Sequence, residues 1–151
     1  MFLQRTELLI GSENLEKLKN SNIIVFGLGG VGGATVESLV RAGIGKLSIV
    51  DFDTVDKTNL NRQIITTQST VGRAKVEVAK ERILAINPEI NLTVYHEKFS
   101  KENIDLFFNE KKYDYIVDAI DLVSAKLDLI EFATKTKTPI ISCMGTGNKL
   151  D

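Results

Sequence analysis

The stretch NIIVFGLGGVGGATVESLVRAGIGKLSIVD, residues 22–51, decides the fold. It opens with a run of β-formers over 22–26, turns on GLGGVGG at 27–33, and carries a helical period over 31–42 that stops at Gly43. Glycine is the residue that most readily ends a helix in the left-handed conformation. A second β-rich run, KLSIV at 46–50, follows at once and ends on Asp51. Strand, glycine turn, helix and strand predict a right-handed crossover between two parallel strands. Gly27, Gly29 and Gly32 stand in the G-x-G-x-x-G spacing. Such glycines allow the tight turn and let the backbone approach a phosphate. The free N–H groups at the helix start favour an anion by about 0.3–1 kcal/mol. Asp51 lies 19 residues beyond Gly32, where a carboxylate can hold both hydroxyls of a ribose. A glycine turn that serves packing alone is the weaker reading in this context. A bound nucleotide is expected, and these residues leave its identity open.

Outward from that unit the alternation continues. Runs at 91–96, 113–118 and 139–143 read as strands, and helical periods cover 75–86 and 124–134. In the helix at 75–86 the inner face is Val76, Ala79, Ile83 and Ile86, and Pro88 stops it. In the helix at 124–134 the expected inner stripe is Leu127, Ile130 and Ala133. A shorter helix is expected over 100–108 with Ser100 as its cap. The pattern predicts an α/β, doubly wound, mostly parallel, Rossmann-like sheet with helices on both faces. Residues 1–20 read as an N-terminal helical extension with Leu15 and Leu18 inward, and 21–151 as the nucleotide-binding domain. The last expected strand runs into MGTGNKLD and stops without a closing element, which predicts the front part of a longer protein.

Composition bounds the rest. The 151 residues suit one domain, with 43% hydrophobic and 26% charged residues. A net charge of −1 gives no support to gripping nucleic acid by bulk charge, so no DNA partner is expected. One cysteine excludes an internal disulfide and a Cys-rich zinc site, and suits the reducing cytoplasm. The N-terminal residues lack the pattern of a secretory signal, and no apolar run nears the roughly 20 residues of a membrane span.

The polar stretch DFDTVDKTNLNRQ, 51–63, narrows the choice of nucleotide. Asp51 leads into a loop that carries Asp53, Asn59, Arg62 and Gln63, and TVGRAK then places Arg73 and Lys75 at the start of a helix. Residues 57–82 hold six Lys or Arg against two Glu. The pyrophosphate of NAD needs little beyond a helix N-terminus, whereas a triphosphate under attack by an anion needs cations. Further on, IVDAID at 116–121 ends a strand with two acids. The ligand crevice of such a sheet lies at the carboxyl ends of its strands. Asp121 is therefore placed to meet a Mg²⁺ ion on the phosphates, though a helix-capping role is an even alternative. Asp118 reads as a cap for local backbone, with a second metal contact as the alternative.

Together GLGGVGG, DFDTVDKTNLNRQI, TVGRAK and VDAID resemble the ubiquitin-activating-enzyme-like (ThiF/MoeB/HesA) adenylating family, over roughly residues 5–151. The resemblance implies ATP and Mg²⁺ as cofactors, attack of a carboxylate on the α-phosphate, and an acyl adenylate. It implies that Gly30 lines the phosphate turn, Asp51 holds the ribose, residues 58–62 and Lys75 contact the phosphates, and Asp121 serves the metal. Arg5 is similar to the family arginine that enters the neighbouring subunit's site, which implies a homodimer. On this reading the catalytic set is Arg5, Arg62, Lys75 and Asp121. VDAIDLVSAK, NLNRQI and MGTGNKLD look closest to the branch that dehydrates threonylcarbamoyladenosine in tRNA, which implies a tRNA substrate and allows a sulfur-relay protein partner. There an adenylated carboxylate is attacked by a nucleophile of the same side chain, so proximity replaces a protein nucleophile.

Other readings stay open at this point. Leu122 stands where relatives that adenylate a small carrier protein typically have Asn, yet that activity is the nearest rival. An NAD-dependent oxidoreductase and a non-catalytic nucleotide-binding scaffold are more distant ones. Cys143 reads as a buried small hydrophobe, His96 as a surface or capping residue, and Phe99, Phe107 and Phe108 as core or dimer contacts.

Overall fold

Five short runs of β-branched and aromatic residues pair in parallel in the computed structural model, which describes residues 2–144. They are β1 (Asn22–Phe26), β2 (Lys46–Val50), β3 (Asn91–Tyr95), β4 (Tyr115–Asp118) and β5 (Ile140–Ser142). The sheet order is β3-β2-β1-β4-β5. The chain winds outward from β1 to β3, then returns to the other side of β1 for β4 and β5. The order therefore reverses between β1 and β4. Phe26 is level with Val50 on one side and with Asp118 on the other. Gly27, Asp51 and Ala119 consequently leave the sheet side by side.

Successive side chains of a strand point to opposite faces, and both faces here are covered. On one, Val25, Leu47, Ile49 and Val117 pack with Val36 and Val40 of α3 (Gly30–Ala42) and with Val76, Ala79 and Ile83 of α4 (Lys75–Ile86). Those three α4 residues are the expected inner face, while Ile86 is only partly buried. On the other face, Ile24, Phe26, Val50 and Ile116 meet Phe99, Phe107 and Tyr113. Phe26 stands edge-on to Phe99 and Phe107, with ring centroids 5.0 and 5.4 Å away. The expected core role of these phenylalanines holds, with Phe108 partly buried beside them.

Two helices precede the sheet, α1 (Gln4–Ile10) and α2 (Ser12–Asn20), joined at Gly11 with φ 82°. Leu3 and Leu15 are buried against the far end of α3, and Leu18 packs partly against the core. The segment expected as one helix over 100–108 divides into a 3-10 turn, Lys101–Asn103, and α5 (Ile104–Phe108). The division arises because the Asn103 side chain accepts the Ser100 N–H at 2.9 Å and closes its own capping box.

The last helix, α6 (Val123–Thr136), corrects one expectation. Its inner face is Ala125, Lys126, Leu129 and Ala133, whereas Leu127 is 59% exposed. The stripe is rotated because a lysine occupies a core position. Cys143 is half-buried rather than buried, just beyond β5. Of MGTGNKLD, all but Met144 lies outside the described residues.

Candidate functional site

The turn after β1 is held by contacts that tolerate no side chain. Gly27 has φ 92°, and a Cβ there would lie 2.5 Å from the carbonyl oxygen of Ala119. A Cβ on Gly32 would lie 1.8 Å from the oxygen of Gly27, so α3 packs directly on the turn. Gly29 is the N-cap of α3 and supplies no side-chain acceptor, which leaves the first N–H groups of the helix available to a ligand.

Beside the turn, Asp51 is 8% exposed. Its Oδ2 accepts the Leu28 N–H at 2.7 Å and its Oδ1 the Asp53 N–H at 2.8 Å. Burial pushes its pKa up, and those two N–H groups, with Lys75 beyond them, pull it back. A carboxylate oxygen can accept two hydrogen bonds, so each oxygen keeps one lone pair for a ribose hydroxyl. The next residues fold back so that the main-chain oxygen of Asp53 accepts the Lys75 N–H at 2.9 Å. Lys75, at the start of α4, is 6% exposed, and its Nζ lies 3.4 Å from Asp53 Oδ2.

These groups line one cavity of about 290 Å³ at the switch point. The glycine turn lines it with Gly27 and Gly29, the end of β2 with residues 50–53, and residues 97–99 and 119–122 complete most of the lining with Gln63 and Lys75. Gln63 is 6% exposed, and its Oε1 is the one buried side-chain polar atom among the described residues without a hydrogen-bond partner. A buried polar atom left unpaired is costly, and a donor on a ligand in this cavity would satisfy it.

The expected site residues divide accordingly. Gly27, Gly29, Asp51, Asp53, Gln63, Lys75 and Asp121 share the cavity. Gly32 supports it from beneath, and Gly30, the first residue of α3, abuts the main chain of Arg62. Asn59 does not line the cavity; its Oδ1 accepts the Asp56 N–H at 2.9 Å and closes the 3-10 turn Lys57–Asn59. Arg62 points elsewhere, donating to Thr58 O at 2.9 Å and Asn61 Oδ1 at 2.8 Å. Arg5 is exposed on α1 and lies outside the cavity of its own chain.

The cation-rich character expected of this crevice is not what the walls carry. Arg73 pairs with Glu81, Lys80 with Glu77 at 3.8 Å, and Arg82 with Glu37. Of the six basic residues over 57–82, Lys75 alone lines the cavity. Lys98, which no sequence motif marks, lines it too and stands 5.3 Å from the ring centre of Phe52. Against these two ammonium groups the walls set four carboxylates, Asp51, Asp53, Glu97 and Asp121. The signal for Lys98 was positional: it lies three residues past the end of β3, and the carboxyl ends of the strands border the crevice.

Asp121 is exposed, one residue before the Leu122 N-cap of α6, so it is not the cap of that helix. No group of three or more His, Cys, Asp or Glu suited to a metal occurs among the described residues. A Mg²⁺ ion held by one carboxylate, phosphate oxygens and water needs no such group, so Asp121 fits that role. Asp118 does not. Its carboxylate is wholly buried, accepts the Ile120 N–H at 3.0 Å as the expected cap, and is also paired with Lys126. His96 is exposed, with Nε2 3.1 Å from Phe52 O, as a surface role predicts.

Comparison with known proteins follows the same lines. The pattern of the ThiF family matches residues 3–149. A tRNA threonylcarbamoyladenosine dehydratase of Bacillus subtilis is 44% identical over 147 residues, which cover 97% of this chain and 58% of that protein. The crystal structure of the E. coli tRNA N6-threonylcarbamoyladenosine dehydratase, TcdA, superposes with a TM-score of 0.94 at 38% identity, covering 99% of this chain and 62% of that one. The same E. coli protein in complex with ATP gives 0.92 at 39% identity, over 97% and 60%. The chain thus spans little more than half the length of the curated relatives it matches.

Proposed function

We propose, from the premise that this chain belongs to the ThiF family, that its switch-point cavity binds ATP and that the protein spends it on a carboxylate. The substrate is the threonylcarbamoyl side chain of a modified adenosine in tRNA. Its carboxylate oxygen attacks the α-phosphorus, pyrophosphate leaves, and an acyl adenylate forms. A nucleophile within the same side chain then attacks the acyl carbon, AMP departs, and a ring closes with net loss of water.

The observation that carries this reading is the convergence, in one cavity, of the uncapped α3 N-terminus, the Asp51 carboxylate and the buried Lys75 ammonium. The first suits phosphate, the second ribose, and the third the charge of the departing pyrophosphate. The excess of carboxylates on the walls supports two further parts of the proposal. A triphosphate entering a cavity with four acids and two ammonium groups meets net repulsion unless cations come with it or from outside. Mg²⁺ at Asp121 is one such source, polarising the phosphoryl oxygens it touches when bound. Arg62, turning from Thr58, and Arg5 of a second subunit are the others.

The test is incubation of the full-length protein with ATP, Mg²⁺ and tRNA carrying the open-chain modification. The nucleoside should lose one water, with AMP and pyrophosphate formed in equal amounts. Pyrophosphate exchange that depends on a small carrier protein and ignores this tRNA would overturn the substrate assignment.

A further inference from the structure

The strongest group outside the reacting set is the buried pair Lys126–Asp118. Asp118 ends β4 and is 0% exposed; the Lys126 side chain, on α6, is 5% exposed. Lys126 Nζ donates to Asp118 Oδ2 at 2.6 Å, to the main-chain oxygen of Cys143 at 2.9 Å and to Ser142 Oγ at 3.4 Å. The three hydrogens of the ammonium thus have three acceptors. Asp118 Oδ2 also accepts the Ser142 hydroxyl, Oδ1 accepts the Ile120 N–H at 3.0 Å, and the main-chain oxygen accepts the Cys143 N–H at 2.8 Å. One ion pair therefore ties together the ends of β4 and β5 and the start of α6.

Stability alone does not account for it. A buried ion pair is often no better than apolar residues of the same volume, because desolvation offsets the attraction. What such a pair supplies is a fixed geometry, and here the geometry concerns the cavity. Residues 119–122 line it and connect Asp118 to α6. The loop is pinned at its start by the bond from Ile120 to Asp118, and at its end by the Lys126 N–H to Leu122 O at 3.0 Å. Lys126 then ties the end back to the carboxylate at the start. Among the described residues the Asp121 carboxylate has no hydrogen-bond partner, so its position is set by the backbone that carries it.

We infer that the Lys126–Asp118 pair is a positioning element for adenylation: it holds loop 119–122, and with it the Asp121 carboxylate, in place for the nucleotide. The inference rests on the role proposed for Asp121 above. Three variants of the full-length protein test it: Lys126→Met, Asp121→Ala and the two combined. Amide hydrogen exchange without nucleotide and ATP–pyrophosphate exchange with the modified tRNA are the readouts. In Lys126→Met, amides 120–122 should exchange at least about tenfold faster, while those of β1 and α3 keep their protection. Its kcat should fall roughly 10- to 100-fold with KM for ATP changed less than about threefold, and Lys126→Arg should restore most of the rate. In the Asp121→Ala background, Lys126→Met should cost nothing further, since both act through one carboxylate.

Unchanged protection at 120–122, or a fall in kcat of the same size in the Asp121→Ala background, overturns the inference and leaves the proposed function standing. A normal rate for Asp121→Ala instead overturns the role of Asp121, and this inference with it. Should Lys126→Met fail to fold, Asp118→Asn combined with Lys126→Met, which leaves no unpaired buried charge, takes its place in every comparison.

Discussion

Lys75 shows how burial and sequence position together mark a candidate for phosphate contact. Its side chain is 7% exposed, yet its nearest anion, Asp53 Oδ2, is 3.4 Å away on a carboxylate that is itself 51% exposed. An ammonium placed this deep with so loose a partner has unused capacity for an anion in the cavity. Removing one stabiliser of developing charge typically costs about 2.7–4 kcal/mol of activation energy, or ~10²–10³ in rate. Lys75→Ala should lose that much in pyrophosphate exchange while its circular dichroism stays native. Arg62→Ala should match it, because a guanidinium held at the surface by Thr58 and Asn61 can turn to a bound phosphate. A normal exchange rate in either variant would remove that residue from the site. The places of Asp51 and the glycines at the cavity were legible in the sequence because they follow from spacing along one βαβ unit, and that of Lys75 because it opens the helix after the polar loop. Lys98 and Phe52 were not, because only the order of the strands brings the end of β3 against the end of β2. The surplus of basic residues misled for a related reason: Arg73, Lys80 and Arg82 face Glu81, Glu77 and Glu37, and Glu37 lies on another helix.

Among the elements, the seam between the glycine turn and α3 and the buried face behind β4 each make a prediction. A methyl on Gly32 must push α3 away from the Gly27 carbonyl, since that oxygen is 1.8 Å from the position of the new carbon. Overpacking of this kind costs about 1–3 kcal/mol or more, so Gly32→Ala should lower the urea midpoint sharply and abolish ATP binding together. Behind the sheet, Tyr113 is 9% exposed, with its hydroxyl 3.3 Å from Ser48 Oγ. Burial, with Tyr95 nearby, pushes its pKa up to about 12. The folded state therefore keeps a proton that the unfolded chain releases near pH ~10. Stability is complete below that point and falls as pH rises toward about 12, because unfolding then releases a proton. Tyr113→Phe should flatten this alkaline slope, measurable by urea unfolding between about pH 9 and 11. The phase of α6 was the element least legible in the sequence. Reading Leu127, Ile130 and Ala133 as the inner stripe follows from keeping charge out of a core, and Lys126 breaks that rule because Asp118 waits there to pair with it.

At the scale of the whole molecule, the proposal that Arg5 serves a second copy makes a prediction. Leu3, two residues before it, packs against Gly43 at the far end of α3 from the glycine turn. That helix has 13 residues and so separates the two ends by about 20 Å. An arginine side chain does not span such a gap, so a contribution of Arg5 to a second copy's cavity is favoured over one to its own. The same N-terminal segment exposes Leu8 and Leu9 at 83% and 85%, with Phe2 at 53%, apolar area that a partner would cover. The deficit of positive charge in the cavity gives the second copy a chemical reason to contribute. Mixing two variants, each expected to be inactive alone on the proposed roles, decides the matter. In a mixed dimer of Arg5→Ala and Lys75→Ala chains, the site built on the Arg5→Ala chain keeps its own Lys75 and receives an intact Arg5 from its partner. If subunits exchange freely, half the dimers are mixed and one site in each is whole, so about a quarter of the wild-type rate should return. An arginine acting within its own chain would leave every site damaged, and the mixture would stay as inactive as its parts.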